Sequence, residues 1–163
     1  MNVLPRYPLP ELSFSIGIGR IAREPAQIAK SYLDARLALR VAGGNSQKGA
    51  VVALEELGVL PLLLQSEDQA GLVTFMESHL GPLLSYDLEN QTSLVPTLEA
   101  YLANNGNLQR TASACHVHIN SLKYRLQRIQ DIASFDLHQG ETRFNLQLAL
   151  SIHSAISILK SKP

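Results

Sequence analysis

The residues best placed for chemistry lie in the stretch NLQRTASACHVHINSLKYRLQRI, Asn107 to Ile129. Arg110, Lys123, Arg125 and Arg128 stand there beside His116 and His118, and no acidic residue occurs between Glu99 and Asp131. Asn120, Ser121 and Tyr124 add amide and hydroxyl groups to the same window. These types suit non-covalent recognition: cations meet phosphate oxygens, while amides and hydroxyls hydrogen-bond phosphates and base edges. The chain carries 14 basic and 14 acidic residues in 163, so a basic surface here is a local feature of a neutral protein. The stretch reads as two short helices joined by a tight turn, and a basic second helix in that arrangement is the usual shape of a DNA reader. The plainer reading is a solvated amphipathic hairpin.

The buried and exposed positions can be assigned from spacing. Ala112 supplies the small residue needed where two helices cross closely. Four residues on, the turn asks for a positive φ, and that place falls to His116. Val117 plugs the corner. Leu122, Leu126 and Ile129 share one face of the second helix and should bury against its neighbours. Asn120, Ser121, Lys123, Tyr124, Gln127 and Arg128 are left facing outward or sideways, with Arg125 at the edge of the buried stripe.

Other constellations have structural explanations. Gly17-Ile18-Gly19-Arg20-Ile21-Ala22 matches a loose dinucleotide fingerprint, but Pro25 delays the helix past the point a pyrophosphate would need, and no Asp or Glu lies between Ala35 and Gln47 to meet a ribose. A strand ending in a turn accounts for it. Gly43-Gly44-Asn45-Ser46 fits a helix C-terminus and lacks acidic metal ligands. Cys115-His116-Val117-His118 has no second cluster at a usual metal-ligand spacing, only a stray His138. No Ser, His and carboxylate form a triad, and Glu55-Glu56 reads as a solvated pair. No catalysis, metal or cofactor is expected.

The elements that position the basic stretch follow from periodicity. The composition, 45% hydrophobic and 17% charged, is that of a folded chain and not of a disordered one. One cysteine excludes an internal disulfide and suits a reducing compartment. No apolar run reaches membrane-span length and no signal-peptide pattern is present, so a cytoplasmic location is expected. Residues 1–12 carry three prolines and read as an irregular lead-in. SFSIGIG (13–19) and AVVAL (50–54) read as strands. Between them Pro25 opens a helix that ends at Gly43-Gly44, with Ile28, Tyr32, Ala35 and Leu39 as its apolar stripe and Asp34 off it. Pro61 opens a short helix, and another runs from Asp68 to about His79 and stops near Gly81-Pro82. The polar stretch Tyr86–Ser93 is the expected seam. Helices then follow over Leu94–Asn104, Leu108–Cys115, Ile119–Ile132 and Glu141–Leu159. The last is apolar nearly all round and should be covered on both sides.

The segment TLEAYLANNGNLQRTASACHVHINSLKYRLQRIQDI resembles the C-terminal DNA-binding domain of the PucR and CdaR group of bacterial transcription regulators, whose helix-turn-helix is similar to that of the Fis nucleoid protein. Asn107, Thr111, Ala112, Val117, His118, Asn120, Leu122, Tyr124, Arg125 and Leu126 carry the match. Ile119 stands where the family has Arg, removing a cation at the helix start, and Ser121 replaces Thr while keeping the hydroxyl. SIGIGR, SYLDARLAL, VVALEELGVLPLLL and LGPLLSYD resemble the preceding CdaR-type domain, similar to a degenerate GGDEF fold. The resemblance implies the C-terminal part of a longer regulator, without the early strands or the effector-sensing region.

The resulting expectation is a mainly α chain. A truncated α+β GGDEF-like module at residues 1–88 precedes a helix-turn-helix domain at 89–163. The partner is double-stranded DNA, read by a homodimer on two half-sites, and an effector would act only through an upstream region. Lys123, Arg125 and Arg128, with Arg110, are the expected phosphate contacts. His118, Asn120, Ser121 and Tyr124 are the expected hydrogen-bonding residues near the helix start. The alternative function is a protein–protein or dimerisation module with weak or lost DNA binding.

Overall fold

The computed structural model describes residues 14–44 and 50–160. The proline-rich lead-in and Asn45-Ser46 fall outside those residues. The chain divides into two compact units, Met1–Pro61 with Ile158–Pro163, and Leu62–Ser157. The fold is mainly α, as expected: seven α-helices and one two-stranded sheet among the described residues.

In the first unit, β1 (Ile16–Ile18) and β2 (Val51–Ala53) pair in parallel, with Ile16 opposite Val51 and Ile18 opposite Ala53. Parallel neighbours require a crossover, and α1 (Pro25–Gly44) supplies it. The glycines of the GIG sequence let this helix lie directly on the strand backbone. A Cβ on Gly17 would sit 2.1 Å from the Ala35 carbonyl oxygen, and one on Gly19 would sit 2.0 Å from that of Ser31. The approach sets the backbone at Ser31 and Ala35, and the Cβ of Leu39, against the two glycines, yet the expected stripe is not the buried one. Asp34, Ala38 and Ala42 are the buried positions, while Ile28, Tyr32 and Leu39 are exposed. Asp34 tolerates burial because Arg20 pairs with it, its Nη2 donating to Oδ1 at 3.2 Å. That interaction also raises the pKa of the Arg20 guanidinium. The Ser31 hydroxyl donates to the Arg20 carbonyl at 2.6 Å. A 3-10 turn at Leu54–Leu57 follows β2, and α2 (Leu60–Leu64) contains Pro61 in its first turn.

The second unit contains α3 (Gln69–Asn90), α4 (Leu94–Ala103), α5 (Leu108–Ala114), α6 (Ile119–Ala133) and most of α7 (Gly140–Lys160). Asp68 caps α3, its carboxylate accepting from the Gly71 amide at 2.8 Å. The helix does not stop at Gly81-Pro82 as expected. It passes through Pro82 and is capped nine residues later by Gln91, which has φ 52°. Pro82 removes one backbone donor, yet Leu80 and Leu83 on either side of it are fully buried, and α3 packs on both α4 and α6. Tertiary burial outweighs the local break. The Tyr86–Ser93 stretch is therefore mostly helix inside one compact unit. The compact units divide at Pro61 and Leu62, whereas the expected division by sequence character lay at residues 88 and 89.

Leu80, Leu83, Leu98, Leu122, Ile129, Leu146 and Ile152 are the largest fully buried apolar side chains. In α7 the buried stripe is Leu146, Ala149, Ile152 and Ala155. Leu148, Leu150 and Ile156 are half-buried and Phe144 is exposed. No described helix is long and apolar enough to cross a membrane.

Candidate nucleic-acid interface

The two-helix motif is built by its caps. Asn107 precedes α5, and its Oδ1 accepts from the Arg110 amide at 3.0 Å. The Thr111 hydroxyl, fully buried, donates to the Asn107 carbonyl at 2.7 Å. At the far end of α5 the amide of Val117 bonds the Ala112 carbonyl at 3.0 Å and that of His116 bonds Ser113 at 3.1 Å. This is the Schellman pattern, and it requires a left-handed residue after the cap. His116 fills that place with φ 53°, as the spacing predicts, and Val117 is half-buried in the corner. The same pattern closes α4, where Asn105 (φ 51°) and Gly106 (φ 77°) follow the last turn. The Gly106 amide bonds the Tyr101 carbonyl at 2.9 Å.

The turn delivers the chain directly into α6. His118 is its N-cap, with Nδ1 accepting from the Asn120 amide at 3.2 Å. A ring nitrogen that accepts cannot carry the proton, so the neutral ring leaves Nε2 as a donor directed away from the cap. Leu122, Leu126 and Ile129 are buried, as their spacing predicts, against helices α3, α4 and α5. Asn120, Ser121, Lys123, Tyr124 and Gln127 are exposed. Tyr124 has 71% of its surface open, a large exposure for an aromatic side chain. Arg110 is exposed on α5.

Arg125 and Arg128 differ from the other cations because the scaffold holds them. Arg125 is half-buried, and its Nη1 donates to the hydroxyl of buried Thr97 on α4 at 3.2 Å. Arg128 lies over the Tyr86 ring of α3 at 5.0 Å from the centroid, and its Nε donates to the Tyr86 hydroxyl oxygen at 3.3 Å. That hydrogen bond raises the Arg128 pKa above its ordinary value. Both guanidinium groups retain free N–H donors, held at fixed places beside α6. Together with Ser121, Tyr124 and the loop at Gln91–Ser93 they line a groove of about 600 Å³.

Asp87, one residue from Tyr86, fixes the other wall of that groove. Its carboxylate accepts from the Thr92 hydroxyl and from the amides of Leu94 at 2.7 Å and Val95 at 2.8 Å. It thus caps α4 from the preceding helix, while Ser93 at the N-cap makes no side-chain bond. Sequence reasoning missed Tyr86 and Thr97, each far in sequence from its partner, and Asp87, whose partners lie across the α3–α4 turn. The D-x-x-x-x-x-S-L-V spacing after a helix end was the available signal for Asp87. No group of three or more His, Cys, Asp or Glu residues that could hold a metal occurs among the described residues.

Residues 94–152 match the PucR C-terminal helix-turn-helix domain, and residues 3–41 match a GGDEF-like domain. The chain thus matches the domains of PucR/CdaR-type regulators. Among these regulators it is 32% identical over 139 residues to the proline-responsive transcriptional activator PutR of Bacillus subtilis, covering 84% of this chain and 34% of the relative. It is 28% identical over 151 residues to the DNA-binding transcriptional activator AdeR of the same organism, covering 90% of this chain and 35% of the relative. It is 29% identical over 142 residues to the carbohydrate diacid regulator of Escherichia coli, covering 87% and 36%. The chain thus spans about a third of the length of these curated relatives. In the PucR-type domain, Asn107, Thr111, Ala112 and Leu122 serve as caps and packing positions, and the solvent-facing residues of α6 form the open surface.

Proposed function

We infer that the chain is a sequence-specific DNA-binding transcription regulator that acts by binding and not by catalysis. The observation that carries this reading is α6. Its core face is buried, and its open face presents Asn120, Ser121, Lys123, Tyr124 and Gln127 in a window with no carboxylate before Asp131. A helix of this kind fits the major groove with its first turns toward the bases. His118, through Nε2, and Asn120, Ser121 and Tyr124 would hydrogen-bond base edges or nearby backbone. Arg110, Lys123 and Arg128 would meet phosphates, and Arg125 would offer the donors not engaged by Thr97. The names of the relatives, transcriptional activators and regulators, support the same reading.

The functional division would follow sequence character, a GGDEF-like module before residue 89 and the reader after it. The regulator would work in the cytoplasm as a homodimer on two half-sites, since one reader of this size buries little surface. Any small-molecule effector would act through a region other than this reader.

The test is a titration of fluorescent duplex DNA at several salt concentrations. Affinity should fall steeply with salt, and Arg128→Gln should reduce the slope of log K against log salt by about 0.9, the value of one phosphate contact. An affinity indifferent to salt, or no binding at low salt, refutes the DNA reading and favours a protein–protein module.

A further inference from the structure

The groove of Arg125 and Arg128 occupies one flank of α6. The other flank carries a second groove, of about 470 Å³, with Lys123 and Gln127 of α6 on one side and His138 and Arg143 on the other. The two grooves share no lining residue. At 100° per residue, Lys123 lies about 60° to one side of Asn120 on the helix and Arg128 about 80° to the other. The helix therefore presents hydrogen-bonding groups at its centre and a cationic groove on each flank.

The second groove is an assembled feature. Arg143 comes from the first turn of α7 and His138 from the connection before it. That connection is tied to α6, the Leu137 amide donating to Gln130 Oε1 at 3.1 Å, and buried Leu137 anchors it. Asp136 is occupied locally, Oδ1 accepting from the His138 amide at 2.8 Å, and Asp131 accepts from Gln127 Nε2 at 2.9 Å. Neither lines the groove. The one ion pair among the described residues is Arg20 with Asp34, in the other unit, so Lys123 and Arg143 have no carboxylate partner there. Two unpaired cations and an imidazole facing one cleft form a site for a phosphate group.

We propose that Lys123, His138 and Arg143 form a phosphate-binding groove that holds the DNA strand opposite the one met by Arg128. The proposal rests on the DNA reading and deepens it. A helix in the major groove, about 12 Å wide, has a phosphate backbone on each side. Cations on both flanks would centre it, so that Asn120 and Tyr124 face base edges. Arg143 and His138 thereby join the interface from outside the two-helix motif.

The experiment compares wild type, Arg143→Gln and Arg143→Lys by duplex titration at several salt concentrations, with circular dichroism as the folding control. A single lost phosphate contact lowers the salt slope by about 0.9, and we expect Arg143→Gln to show that loss while Arg143→Lys retains most of the slope. Wild-type binding with a steep slope that Arg143→Gln leaves unchanged overturns the proposal while the DNA reading stands. Absence of wild-type binding overturns both. The last arm uses inorganic phosphate at constant ionic strength. Saturable phosphate binding that depends on Arg143, with an unchanged DNA slope, assigns the groove to free phosphate and overturns the role in DNA binding.

Discussion

Removing the Asp87 carboxylate should destabilise the helical unit by more than an ordinary surface change. Asp87 accepts three hydrogen bonds, from the Thr92 hydroxyl and from the Leu94 and Val95 amides at 2.7 and 2.8 Å. Leu94 and Val95 are buried, and Ser93 provides no side-chain cap, so water and neighbouring groups are poor substitutes. Loss of an N-cap costs about 0.5–2 kcal/mol, and a hydrogen bond to a charged group contributes about 1.5–3 kcal/mol. Because Asp87 is only half-buried, we place Asp87→Ala at about 2–3 kcal/mol, near the sum of one strong cap and one such bond at their lower ends. Asp87→Asn keeps one acceptor oxygen but turns an NH₂ group toward the second amide, and should lose about 1–2 kcal/mol. Urea unfolding followed by circular dichroism measures both, with the m-value expected to stay constant. A loss below about 0.5 kcal/mol for Asp87→Ala, the range of an ordinary surface substitution, would refute the argument.

Substitutions at three further positions probe separate parts of the chain. His116→Gly should be neutral or stabilise by up to about 1 kcal/mol, since glycine accepts φ 53° without strain, whereas His116→Val should destabilise by at least about 1 kcal/mol; thermal unfolding of the pair would show the opposite order if the turn were not left-handed. Gly17→Ala places a methyl 2.1 Å from the Ala35 oxygen and should destabilise by about 1–3 kcal/mol or more in chemical denaturation, while an unchanged midpoint would deny the close strand–helix contact. Ile119→Arg adds a cation at the first turn of α6 and should steepen the DNA salt slope by about 0.9 in the duplex titration; an unchanged slope would mean that this position faces no phosphate.

Much of the reader was legible because its chemistry is local. The small Ala112, the left-handed turn at His116 and the Leu122, Leu126, Ile129 stripe follow from helical spacing over a few residues, and the structure places each accordingly. The same logic failed in α1. Its apolar Ile28, Tyr32 and Leu39 lie open, while two alanines and Asp34, which pairs with Arg20, are buried, because the helix meets Gly17 and Gly19 through its backbone at Ser31 and Ala35 and not through a large apolar stripe. It failed again at Gly81-Pro82, where burial of Leu80 and Leu83 carries the helix through a sequence that would otherwise end it.

The sequence by itself determined the helix-turn-helix, its family resemblance and the sign of charge along its second helix. Those properties depend on side-chain identity and periodicity. Only the tertiary structure decided what surrounds that helix. Tyr86 under Arg128 is 42 residues away in sequence, and Thr97 under Arg125 is 28 away. Asp87 reaches over the α3–α4 turn to cap the next helix, and Arg143 and His138 arrive beside Lys123 from beyond the motif. Pairings at that separation depend on how α3, α4 and α7 pack, and packing is a property of the folded chain that no short window of residue types contains.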